Sequence, residues 1–214
     1  MLFRSFPDYL DALERRPRDI DLATQVPHGA LRLHVMGERG ATQQPATPDD
    51  IAEMARLARE AVEAGALGFS TSRTLNHRTS LGEPTPTLKA EADELVGIAK
   101  ALGAAGRGVL QVVSDFIDMD AELELFRRMA EESGRPISVS IAQGPQRTSD
   151  WLAELDYFER ATARGVTMRG QVGARAVGLM LGLDATLNPF MFSRPDRKST
   201  RLNSSHQIIS YAVF

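Results

Sequence analysis

Between Gly65 and Ser80 the chain reads GALGFSTSRTLNHRTS, and within it a short apolar run hands over to Ser70, Thr71, Ser72, Arg73, His77 and Arg78. Hydroxyls, guanidiniums and an imidazole at such a handover can bind an amide or a carboxylate, arginine doing the latter through its planar fork. Similar groups recur where other apolar runs end. His28 lies between QVP and Gly29, Gln111 and Asp115 sit in VLQVVSD, Gln143 follows ISVSIA, and Arg169, Gln171 and Arg175 punctuate MRGQVGAR.

Each group has a chemical reading and a plainer one. His28 can donate, as a neutral imidazole, to substrate or a bound oxyanion, or it can fix its own loop through backbone hydrogen bonds. Ser70 and Thr71 can bind a carboxylate or cap the following turn, and with no Gly-x-Ser-x-Gly around them a serine nucleophile at either position is disfavoured. Arg73 and His77 suit a substrate carboxylate or are exposed loop charges. Asp115 is a base or a helix cap. Arg169 and Arg175, with Gln171 between them, make a carboxylate pocket or salt bridges to a neighbouring helix. His34 reads as surface or packing, and the Met and Leu run from Val177 to Leu183 as core.

The elements that must position these groups follow from periodicity. Apolar spacing predicts helices over Phe6 to Arg16, Pro48 to Ala64, Glu91 to Ala105, Ala121 to Ser133 and Asp150 to Arg164, most of them stopped by glycine. Strands are predicted over Asp21 to Val26, Ala66 to Thr71, Val109 to Val113, Pro136 to Ala142 and Val166 to Gly170. ALRLHVMGERG reads as a short helix or turn stopped by Gly37 and Gly40, and Arg175 to Leu183 as another helical turn. Strand and helix alternate through five strands, which implies an α/β fold with a parallel sheet and right-handed crossovers. An open Rossmann-type sheet and part of a (β/α)8 barrel both fit. The glycine-rich phosphate loop of the former is missing, because Gly103, Gly106 and Gly108 precede a strand, so the barrel is favoured. Substrate groups then belong at the carboxyl ends of the strands.

Both termini read as foreign to this pattern. The last nineteen residues, DRKSTRLNSSHQIISYAVF from Asp196 to Phe214, resemble the frame translation of an indexed sequencing adapter, and Met1 to Ser5 resemble its counterpart. The expectation is a natural segment over residues 6–195, internal to a longer barrel domain, with residues 1–5 and 196–214 adapter-derived. His206, Arg197, Lys198 and Arg201 are then neither ligands nor a nucleic-acid patch. Removing the adapter residues takes four cations and one anion from the 25 and 28 present, leaving 21 and 27. That acidic balance disfavours nucleic acid and anionic membranes as partners. No apolar run approaches the roughly 20 residues needed to span a bilayer. With no cysteine there is neither a disulfide nor a thiolate zinc site. A cytoplasmic location is the default expectation.

PHGALRLHVMGERG, GALGFSTSRTLNHR, RGVLQVVSDF, RPISVSIAQ and VTMRGQVGARAVGLMLGL with a following NPF, in that order, resemble the N-acyl-D-amino-acid deacylase branch of the amidohydrolase superfamily. The resemblance implies a metal-dependent hydrolase on a (β/α)8 barrel, with zinc in the parent enzyme and a small N-acyl amino acid or related amide as substrate. It implies barrel strands three to seven for this chain. His28, Ser70, Arg73, His77, Gln111, Gln143 and Arg169 are the substrate-binding candidates; catalytic residues are not assigned. The family's histidines at the ends of barrel strands five and six have no counterpart in VLQVVSD and ISVSIAQ, so no metal ligand is expected here and the isolated chain should be inactive. Two other readings stay open: a noncatalytic ligand-binding or oligomer-forming barrel, and a cyclic-amide hydrolase of the same superfamily.

Overall fold

The computed structural model describes residues 4–79, 82–143 and 149–174. Arg175, the run from Val177 to Leu183 and the segment 196–214 lie outside the described residues. One compact unit comprises residues 1–77 and 85–172. It contains α1 (Phe6–Glu14), β1 (Gln25–Pro27), α2 (His28–Met36), α3 (Glu38–Ala41), α4 (Pro48–Glu63), β2 (Gly68–Arg73), α5 (Ala92–Ala104), β3 (Val109–Ser114), α6 (Met119–Ser133), β4 (Ile137–Ser140), α7 (Asp150–Ala163) and β5 (Met168–Gln171). In the second unit, which takes Arg78–Pro84 and the residues from 173 onward, Arg78 and Pro84 form an antiparallel bridge and the Thr79 N–H donates to the Glu83 carbonyl.

Local chemistry sets the helix ends. Ser5 caps α1 by accepting the Asp8 N–H at 3.2 Å. Thr47 and Asp50 form a reciprocal capping box at the start of α4, with Pro48 at a position whose missing N–H goes unused. Gly65, at φ 121°, turns the chain from α4 toward β2 in a conformation closed to most L-residues. The structure moves the first strand. Asp21 to Ala23 are exposed and only Gln25 to Pro27 pair, because the β2 ladder begins at Gly68, the partner of Gln25. α2 accordingly starts at His28, earlier than the helical turn read from ALRLHVM.

All five strands are parallel and lie in the order β1-β2-β3-β4-β5. Sequential order without a reversal is the arrangement of a (β/α)8 barrel; a doubly wound sheet has a switch point. Side chains alternate across a strand. Phe69, Leu110, Val112, Ile137, Val139 and Met168 turn toward the helices and are at most 1% exposed, packing with Met54, Ala58, Leu95, Ile98, Leu102, Phe126 and Met129. Each such large side chain contributes roughly 1.5–3 kcal/mol relative to exposure. The strands approach closely at Gly68, where an added Cβ would lie 1.9 Å from the Val109 carbonyl oxygen.

Candidate functional site

The opposite face of the sheet is polar. Register places Pro27, Ser70, Gln111, Ser138 and Arg169 in one row across all five strands. Ser72, Val113, Ser140 and Gln171 form the next row toward the carboxyl ends. These positions are half-buried on β2 to β4 and exposed on β5. Two diagonal contacts stitch the rows: the Gln111 amide donates to Ser140 Oγ at 3.2 Å, and the Ser138 hydroxyl donates to Gln171 Oε1 at 3.1 Å. On β2 to β4 its polar positions are thus neutral amide and hydroxyl groups with unused donors and acceptors, suited to binding amide and carboxylate oxygens, and Arg169 adds a cation on β5.

Beyond the carboxyl end of β2, the His77 Nδ1 lies 2.6 Å from Ser72 Oγ. Asp115, just past β3, holds the loop between them by accepting the Thr74 hydroxyl at 2.5 Å and the Leu75 N–H at 2.7 Å. Its carboxylate therefore anchors a loop; it does not cap a helix. Gln143 is exposed, three residues past β4. The Arg169 guanidinium bonds the Thr162 hydroxyl and the Met168 carbonyl, each at 3.3 Å.

His28 and Arg73 occupy the other side of the sheet. His28 is 1% exposed, with Nε2 2.7 Å from Glu94 Oε1 and Nδ1 2.8 Å from Thr71 Oγ1. Glu94 also receives Arg32 Nη1 at 2.8 and 3.1 Å, and Arg32 Nη2 donates to the Gln44 carbonyl at 2.5 Å. Burial pushes the His28 imidazole below its usual pKa, against the pull of the Glu94 carboxylate, while Arg32 and Arg73 push it further down. Burial thus favours the neutral ring. Because Glu94 is the ionised partner of Arg32, it accepts from His28 Nε2–H, and Nδ1 accepts the Thr71 hydroxyl. Arg73 is likewise engaged: Nε and Nη2 fork onto Glu122 at 2.6–2.9 Å and Nη1 donates to the Ala90 carbonyl at 2.7 Å. The Ser114 hydroxyl completes this cluster by donating to Glu122 Oε2 at 2.9 Å.

Of the seven residues singled out in the sequence, Ser70, Gln111 and Arg169 share one sheet row, and His77 and Gln143 lie at the carboxyl ends. His28 and Arg73 are fixed among helices with their hydrogen-bonding groups engaged. The sequence reading missed Glu94, Arg32, Glu122, Ser138 and Ser140. Signals existed for some of them: Glu94 lies four residues before Ile98 on an apolar stripe, and ISVS alternates with period two.

Among the described residues no group of three His, Cys, Asp or Glu side chains could hold a metal ion. Amides and hydroxyls occupy the strand ends instead, and glutamine is a poor ligand beside imidazole or carboxylate. The described donor set does not fit a metal centre.

The model of the Amidohydrolase family matches residues 2–213. The chain belongs to that family. Its similarities lie in the D-aminoacylase branch: it is 36% identical to a D-aminoacylase of Alcaligenes xylosoxydans xylosoxydans over 49% of the chain and 19% of the relative. It is 38% identical to an N-acyl-D-glutamate deacylase of the same organism over 51% of the chain and 20% of the relative. A solved D-aminoacylase variant in complex with copper chloride superposes with a TM-score of 0.67 at 27% identity, over 82% of this chain and 35% of that one. Another solved D-aminoacylase, described by its binuclear metal center, gives 0.65 at 27% identity, over 79% and 34%. This family member thus aligns with about a fifth of the curated relatives and a third of the solved chains. Its parallel sheet is of the D-aminoacylase barrel type, as the strand order indicates. No helix among the described residues is long and apolar enough to cross a membrane.

Proposed function

We propose that this chain is part of an amidohydrolase cleaving the amide bond of an N-acyl-D-amino acid, and that the polar face of β2 to β5 is the wall against which the substrate lies. The observation carrying this reading is the register row Ser70, Gln111, Ser138, Arg169 on the face away from the helices, in a chain similar to deacylases of N-acyl-D-amino acids. Ser70 and Gln111 bind the amide and carboxylate oxygens. Gln143 and His77 contact the substrate nearer the carboxyl ends, and Arg169 supplies positive charge on β5. His28 and Arg73 act on the substrate through the wall, by fixing β2 to α2, α5 and α6. Zinc in the parent enzyme is held by residues outside the described set, and no step assigned to these side chains passes through it.

A noncatalytic ligand-binding barrel is the second reading, favoured because no group of three His, Cys, Asp or Glu among the described residues could hold a metal ion. Recovering the uninterrupted gene from adapter-trimmed reads tests both, together with the adapter origin of residues 1–5 and 196–214. The full protein is expected to bind zinc and release amino acid from N-acyl-D-amino acids but not from their L-isomers. Absence of both activity and stoichiometric metal would favour the binder, and preferential opening of cyclic amides would favour the related hydrolase.

A further inference from the structure

We propose that Ser72 and His77 form a nucleophile dyad that accepts acyl groups from activated esters, an activity separate from amide hydrolysis by the parent enzyme. The 2.6 Å contact joins a hydroxyl and an imidazole nitrogen near the mouth of the polar face. Ser72 is the penultimate residue of β2, in register with Val113, and its carbonyl accepts the Thr87 hydroxyl at 2.6 Å, so its backbone is held. His77 is held by the folding of its loop. Asp115 takes the Thr74 hydroxyl and the Leu75 N–H, Thr74 Oγ1 takes the Asn76 N–H at 3.1 Å, and the Asp115 N–H donates to the Arg73 carbonyl at 3.2 Å. Four contacts thus return the chain so that residues five apart meet side chain to side chain. His77 is exposed, and among the described residues its Nε2 has no partner, so the ring can exchange a proton with water.

The chemistry follows from that pairing. Ser72 Oγ attacks the carbonyl carbon of an aryl ester as its proton passes to His77 Nδ1. Collapse of the tetrahedral adduct breaks the carbon–oxygen bond to the phenol, which leaves as phenolate, and the acyl group remains on Ser72. The imidazolium releases that proton to solvent through its exposed ring; water then attacks the acyl-serine, giving a proton to the neutral imidazole, which returns it to the Ser72 oxygen as the carboxylic acid departs and the serine hydroxyl is restored. The arrangement needs no Gly-x-Ser-x-Gly elbow, because the returning loop brings the base to the strand-end hydroxyl.

The test uses the 214-residue chain with p-nitrophenyl acetate, following nitrophenolate release and the intact mass, with peptide mapping of the acetyl group. The expected result is a burst of about one equivalent and one acetyl group on Ser72. Ser72→Ala should abolish both. His77→Gln should slow acylation by about 100-fold or more with unchanged circular dichroism, the size expected for loss of a positioned base. Asp115→Asn should fall between, through loosening of the loop. Acetyl groups found only on lysines or on His77, or a burst undiminished in Ser72→Ala, would overturn the proposal. Since the readout is made on this chain with an ester, a failed amide assay on the parent would leave the result standing, and the reverse holds.

Discussion

Strand β2 presents two different chemistries from adjacent residues. Thr71 and Arg73 face the helices, where the charges nearest them are paired: His28, Glu94 and Arg32 close one cluster, and Arg73, Glu122 and Ser114 the other. Ser70 and Ser72 face the opposite side among neutral groups whose hydrogen-bonding capacity is only partly used. The ion-paired side is thus the scaffold, and the side with open hydrogen-bonding capacity is the surface left for a ligand. In a barrel this division is reasonable, because a buried charge set requires fixed geometry while a binding wall must keep donors and acceptors available.

The comparison is broken most severely at Glu94. Replacing it with alanine leaves the Arg32 guanidinium buried without its counter-charge, and Arg32 Nε already lacks a partner among the described residues. We expect a loss of about 3–5 kcal/mol in urea unfolding, the range for an orphaned buried ion. Glu94→Gln should lose nearly as much if charge is what matters, and far less if shape alone does. Arg73→Ala comes next. Its partner Glu122 is only 13% exposed at the side chain, so its removal should cost about 2–3 kcal/mol.

A pH titration sharpens the same contrast. The folded pKa of His28 lies below the free value of 6.5, so in the window beneath 6.5 the unfolded chain binds a proton that the folded chain refuses. Stability is therefore full above that value and falls as the pH drops, by at most about 1.4 kcal/mol per pH unit for one proton. The groups facing His28 from packed elements are Glu94 on α5, Arg32 on α2 and Arg73 on β2. Asp50, held below the usual carboxylate value against the cost of burial by the Thr47 backbone N–H and by Arg39, loses its contribution only at lower pH. Unfolding curves collected between neutral and mildly acidic pH should show the slope, and His28→Gln should remove it while lowering stability throughout. A slope that survives in His28→Gln would assign it to another group.

How far these sides were legible in the sequence differs for physical reasons. Helices α4, α5, α6 and α7 declare themselves through apolar spacing and caps, and their observed ends fall within two residues of the expected ones. Strand order was reachable from the alternation of elements and the missing phosphate loop. Strand β1 was misplaced because its pairing depends on where β2 begins, which its own residues do not encode. The candidate residues were found by type at the ends of apolar runs, a criterion blind to the face they occupy. Parity supplies what was lacking: Ser70 and Ser72 share one face, Thr71 and Arg73 the other. The contact between His28 and Glu94, 66 positions apart, lies beyond any local pattern.

The smallest expected effect falls on the neutral face, and it decides what that face is for. Gln111→Ala removes one 3.2 Å hydrogen bond from a half-buried amide whose partner, Ser140, remains within reach of water. The stability change should stay within about 0.5–1 kcal/mol. Ser140→Ala should be similar, and the double variant should add little, since the two single changes delete the same contact. On the proposed deacylase reading, Gln111→Ala in the full-length protein should raise KM for an N-acyl-D-amino acid well beyond what its small stability loss explains. A large stability loss in Gln111→Ala, with KM unchanged, would make Gln111 part of the scaffold, and the division between the two faces of β2 would not extend to β3.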